Sequence, residues 1–176
     1  MLRKTFLAAV VAVSISPSIS AQAANTPSYR SFPTQDSIRL SEPDVKKSSP
    51  FWPFRTRILN GAVTNGVIFN GKYTVVTWGC GLPCQQGVVI DRKKRDNNII
   101  FLPLSMTGYE YSFNSSQLIV NPHPEEYNNT GEIPTFLYRE FYHLVGQTFV
   151  FDCADKGEGT KCLDEKEYTA VVNENN

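Results

Sequence analysis

Tyr73-Thr74-Val75-Val76-Thr77-Trp78-Gly79-Cys80-Gly81-Leu82-Pro83-Cys84-Gln85-Gln86-Gly87-Val88-Val89-Ile90 is the stretch from which the fold is read. Residues 73–78 are dense in β-branched and aromatic side chains, which suit a pleated, half-buried surface. Val88-Val89-Ile90 is a second run of the same kind. Between them, residues 77–87 bring Gly, Pro and two cysteines, which stop one strand before the next begins. Gly79 and Gly81 permit backbone angles that other residues avoid, and Pro83 stiffens the connection.

The same signals recur downstream. Ile99-Ile100-Phe101-Leu102 is closed by Pro103, after a polar turn over residues 91–98. Tyr109, Tyr111 and Phe113 alternate with Glu110 and Ser112, the period of a half-buried strand. Leu118-Ile119-Val120 ends at Asn121-Pro122. Residues 135–144 and 147–153 flank Val145-Gly146 as a hairpin would, and residues 168–172 read as a last strand. No helix-length periodic segment separates these runs, which argues against a parallel βαβ architecture. The expected fold is mainly β: an antiparallel, meander-like sheet, curled or closed into a small barrel or sandwich. One short N-terminal helix is expected over residues 53–59, with Phe54, Ile58 and Leu59 toward the core and Pro53 in its first turn. Gly61 and Gly66 are expected to break it.

Toward the N-terminus the pattern changes. Arg3 and Lys4 precede an apolar run over residues 6–15, and Ala21-Gln22-Ala23 is a small-x-small cleavage site. The run is too short to span a bilayer, which takes roughly 20 residues. The domain reading is therefore a signal peptide over 1–23, a flexible leader rich in Ser, Pro and charge over 24–50, and a single β-rich domain over 51–176. The expected location is the bacterial periplasm or the secreted fraction. Cysteine usage agrees: Cys80, Cys84, Cys153 and Cys162 all lie after the cleavage site, and an even count in an exported chain reads as disulfides. Of the three possible pairings, two short local loops are the simplest. Cys-x3-Cys and Cys-x8-Cys, with His123 and His143 scattered, fit a zinc site poorly.

Charge narrows the partners. Lys and Arg number 17, as do Asp and Glu, so loss of Arg3 and Lys4 leaves the processed chain near neutral and slightly acidic. Nucleic acid and anionic membrane both demand a basic surface and are not expected partners. Neither a cofactor nor membrane insertion after cleavage is expected. No catalytic residue is assigned. The spacing at Cys80 and Cys84 is not the Cys-x-x-Cys of thiol oxidoreductases, and neither a nucleophile elbow nor a phosphate loop occurs.

The stretch Phe54-Arg55-Thr56-Arg57, followed by Phe69-Asn70-Gly71-Lys72-Tyr73 and Trp78-Gly79-Cys80-Gly81 with Cys84, resembles a group of small exported bacterial proteins. Their pattern is Phe-Arg-Thr-Arg, a short gap, Asn-Phe-x-Gly-x-Tyr, then Trp-Gly-Cys-Gly-x-x-Cys. Ser116-Gln117-Leu118-Ile119-Val120-Asn121 is similar to their later Ser-x-Leu-Leu-Val-x-Asn block. The resemblance covers residues 54–121 and departs where Phe69-Asn70 inverts the usual order. The group carries no known activity, so the resemblance implies fold and export rather than a reaction. It also implies that Cys80 pairs with Cys84, which leaves Cys153 and Cys162 as a local addition.

The candidate binding residues are Trp78, Gly79, Gly81, Leu82, Pro83 and Gln85 in the cysteine loop, together with Arg55 and Arg57. A loop pinned by a disulfide enters a partner's cleft at low entropic cost. The planar forks of the two arginines suit a carboxylate or phosphate, against the plainer reading of an ion pair within the domain. The function these features suggest is a periplasmic binding or inhibitory, immunity-type module that meets an envelope protein or wall-active enzyme. The alternatives are a small envelope hydrolase or thiol-redox enzyme, and a structural envelope component.

Overall fold

The computed structural model describes residues 41–94, 99–127, 132–157 and 159–174. The expected signal peptide, leader residues 24–40 and turn residues 95–98 lie outside these.

Two antiparallel sheets form the body, and they stay open rather than closing into a barrel. In the first, β1 (Tyr73–Gly79) pairs with β2 (Gln85–Asp91), and β3 (Ile99–Phe101) adds to β2. The second runs in the order β4 (Tyr109–Tyr111), β5 (Gln117–Val120), β6 (Arg139–Val145) and β7 (Thr148–Asp155). The mainly β, antiparallel expectation therefore holds, in its two-sheet form.

Alternation along the strands builds two cores. Tyr73, Val75 and Val89 of the first sheet meet Leu118, Val120 and Leu144 of the second. The neighbours Val76, Val88 and Ile90 point the other way, onto Ile58 and Ala62 of α1 (Arg55–Asn65). Both faces of the first sheet are thus covered, so Val88-Val89-Ile90 reads as an unbroken apolar run. Each such side chain contributes about 1.5–3 kcal/mol by leaving water.

The N-terminal helix is longer than expected. A 3-10 turn at Trp52–Phe54 leads into α1, which runs through Gly61 and ends at Gly66 with φ 62°. Gly61 is there for contact: a Cβ on it would stand 2.4 Å from Val76 Cγ1. Arg92, itself buried, closes the far end of the helix by donating to the Ala62 carbonyl at 2.7 Å. A cation there satisfies an orphan carbonyl and suits the negative end of the helix dipole.

Two further expectations need correction. The folded body begins before Phe51: Val45 is buried in the α1 core, and the Arg92 guanidinium donates to the Ser41 carbonyl at 2.8 Å. One apolar residue in a polar stretch suffices to seat it. Residues 168–172 are not a strand but part of α2 (Glu165–Glu174), which packs on β7.

Both short disulfides form, Cys80–Cys84 and Cys153–Cys162, and no cysteine is free. Such bonds persist in oxidising compartments outside the cytosol. Among the described residues no helix is long and apolar enough to cross a membrane.

Candidate functional site

The cysteine loop is the tip of the β1–β2 hairpin. Gly79 and Gln85 form the last paired position, and residues 80–84 turn the chain. The disulfide closes this turn with a Cα–Cα distance of 5.1 Å, and the Cys80 amide donates to the Cys84 carbonyl at 3.0 Å. Gly81 takes φ 127°, a region that favours glycine. The Leu82–Pro83 peptide is cis. Leu82 stands fully in solvent at 105% relative exposure, with Gly81 and Pro83 exposed beside it.

The base of the tip is held from the opposite side. Gln85 exchanges two backbone hydrogen bonds with Ser105, at 2.7 and 3.0 Å. Ser105 is buried, and its hydroxyl donates to Asn121 Oδ1 at 2.9 Å. The same oxygen accepts the Met106 amide at 2.6 Å and the Thr107 amide at 3.2 Å. Asn121 sits at φ 54°, a left-handed conformation that asparagine tolerates. The tip is therefore anchored through a buried polar network rather than by the hairpin alone.

Trp78 lies on the α1 side of the hairpin, half-buried. Its ring stacks on Phe54 at a centroid distance of 5.0 Å, and Phe54 meets Phe101 edge-on at 6.2 Å. Phe51 lies 4.5 Å from Phe101. These rings continue the α1 core out to the surface, where Trp52 and Phe101 are exposed. Arg55 and Arg57 are both exposed on the first turn of α1, and neither makes an ion pair among the described residues. The Arg55 guanidinium lies 5.5 Å over Trp52, with the Lys47 ammonium at 5.9 Å. The plainer reading, an ion pair within the domain, is met by neither arginine among the described residues; Arg55 instead stands over Trp52.

Phe54 thus joins Trp78 to the start of α1, where Arg55 stands over Trp52, while Leu82 projects into solvent from the hairpin tip. Gln85 instead faces the gap between the sheets, where the Tyr109 hydroxyl donates to the Pro103 carbonyl at 2.7 Å and lies 3.1 Å from the Gln85 carbonyl. Burial pushes the Tyr109 phenol well above its ordinary value. Sequence reasoning missed Phe51, Trp52, Phe101 and Lys47, although the aromatic run Phe51-Trp52-Pro53-Phe54 was a visible signal.

The other chemical candidates are accounted for locally. His143, half-buried, pairs through Nδ1 with Asp152 Oδ1 at 2.6 Å across β6 and β7. His123 is exposed and lies 3.4 Å from Glu125. Cys153–Cys162 ties the end of β7 to the segment before α2. Among the described residues no group of His, Cys, Asp and Glu could hold a metal ion.

No family model matches the chain, and no curated protein or solved structure does.

Proposed function

We propose that this protein is a binding module of the oxidising cell envelope, of the inhibitory or immunity type, that docks an envelope protein or wall-active enzyme with its stapled hairpin tip. The observation that carries the reading is Leu82: a large apolar side chain, fully exposed, at the apex of a ring closed by a disulfide. Folding gains nothing from an exposed leucine, while a rigid apolar knob loses little entropy on entering a socket. The partly exposed rings of Trp52, Phe54, Trp78 and Phe101 extend the surface, and aromatic and arginine side chains are the usual anchors of protein interfaces. Arg55 and Arg57 supply the rim.

The test is Leu82→Asp, in protein captured against periplasmic extract and purified wall-lytic enzymes. The substitution is expected to leave Tm nearly unchanged, within about 0.5 kcal/mol of stability, and to abolish retention of the partner by carrying a charge into a desolvated contact. Trp78→Ala, which removes the ring under Phe54, is expected to destabilise the fold. A Leu82→Asp protein that unfolds, or that keeps the same partners, overturns the reading.

A further inference from the structure

We propose that the mouth between the two sheets is a second, independent site: a cleft for a neutral, hydroxyl-rich ligand, a short oligosaccharide. The cleft measures about 330 Å³, at the small end of the range for ligand sites, about 300–1,000 Å³. Thr77 and Gln85 contribute from the first sheet, and Tyr109, Glu110 and Tyr111 from the second, with His123 at the rim. It lies across the hairpin from Trp78, because Thr77 and Trp78 alternate along β1.

The walls are fixed before any ligand arrives. The Tyr109 hydroxyl spans from β4 to the Pro103 and Gln85 carbonyls, and the Gln85–Ser105 bridge locks the base of the hairpin. Gly108, beside the Gln85 carboxamide, takes φ 101°, a backbone region that favours glycine.

Around these walls stand polar groups that the fold does not use. The Tyr111 hydroxyl, the Glu110 carboxylate, the Thr77 hydroxyl and the Gln85 carboxamide have no hydrogen-bond partner among the described residues. Together they offer both donors and acceptors, the inventory that sugar hydroxyls match. The charge excludes the other ligand classes. No Lys or Arg lines the cleft, and its one unpaired charge is a carboxylate, so a phosphate or carboxylate ligand would be repelled. The polar lining offers no apolar sleeve for a lipid chain.

The site does not depend on the hairpin tip as a protein contact, and the experiment separates the two. The purified, oxidised protein is titrated with chitotetraose and with cellotetraose, followed by amide chemical shifts. Saturable binding of at least one sugar is expected, with shifts confined to residues 77, 85, 107–111 and 122–123. Preference for chitotetraose would mark an acetamido-bearing glycan as the source, and equal binding a plain polyol chain. Tyr111→Phe and Glu110→Gln each remove one unused group and keep the side chain's bulk. Each is expected to weaken the sugar about tenfold with Tm unchanged, while Leu82→Asp binds it like the parent. No saturable shift with either sugar, shifts elsewhere on the surface, or parent-like affinity in both variants would sink the proposal.

Discussion

At the scale of single residues, the most consequential side chain is one that contacts no candidate partner. Asn121 is buried, and its carboxamide receives Ser105, Met106 and Thr107 and donates to the Tyr138 carbonyl at 3.3 Å. It thereby fixes residues 105–108, which hold the hairpin tip on one side and the sheet mouth on the other. Asn121→Ala strands the part-buried Met106 and Thr107 amides and the buried Ser105 hydroxyl and is expected to cost about 1–3 kcal/mol, read from the urea midpoint. Asn121→Gly keeps the left-handed backbone but not the bonds, and should cost nearly as much. A loss confined to the alanine variant would show that φ, not the network, is what matters. Leu82 was legible in the sequence because Gly81 and Pro83 inside a five-residue ring leave it nowhere to pack. Trp52 was not, because the fold rather than the local sequence brings Lys47 and Arg55 over its ring.

At the scale of elements, the strands and the start of α1 were legible, while the length of α1 and the whole of α2 were not. Val75-Val76 and Val88-Val89-Ile90 announce strands because both faces of their sheet are covered. Gly61 misled because a glycine breaks a helix only where nothing needs its missing side chain, and here Val76 does. Residues 168–172, Tyr-Thr-Ala-Val-Val, carry strand composition, but β propensity reflects packing against neighbouring strands more than backbone preference. Local capping decided the matter instead. The Glu167 amide donates to Asp164 Oδ1 at 2.9 Å, and the Asp164 amide returns to Glu167 Oε2 at 3.3 Å. That reciprocal box starts α2, and Asp164-x-x-Glu167 was its sequence signature. No residue of α2 is fully buried. Tyr168 docks it: its ring stacks on Phe151 at 5.5 Å, and its hydroxyl donates to Glu140 Oε1 at 2.8 Å. Tyr168→Ala is therefore expected to release α2 alone, with fast amide exchange over 165–174 and unchanged protection in β1, β2 and β6. Unchanged protection across α2 would mean that the Cys153–Cys162 bond and the capping box hold it unaided.

At the scale of the whole molecule, the sequence left barrel and sandwich undecided because closure depends on how edge strands meet. Here Pro103 ends the run after β3, and Asn121 takes amides of the loop that follows, so β3 and β4 border the gap between the sheets without pairing. Beside the apolar cores, tyrosine hydroxyls join the layers. Tyr109 links the sheets across the mouth, while Tyr142 and Tyr168 converge on Glu140 and tie α2 to the second sheet. Burial raises all three phenols well above the ordinary value of 10.0, and the Glu140 carboxylate pushes Tyr142 and Tyr168 higher still. The sign of the linkage follows. The folded protein keeps phenolic protons that the unfolded chain sheds near pH 10.0, so this part of the stability is complete below that value and is lost as pH rises beyond it. Alkaline titration should therefore show the buried phenols ionising late and together, in one cooperative step of tyrosinate absorbance that coincides with loss of the near-ultraviolet dichroism of the folded core. Replacing Tyr142 and Tyr168 together with Phe should shrink that step and flatten the fall of stability with pH above the ordinary tyrosine range. If all tyrosines instead ionise in one broad wave near their ordinary value while the fold persists, the phenols do not tie the layers, and apolar contact alone holds the sheets and α2 together.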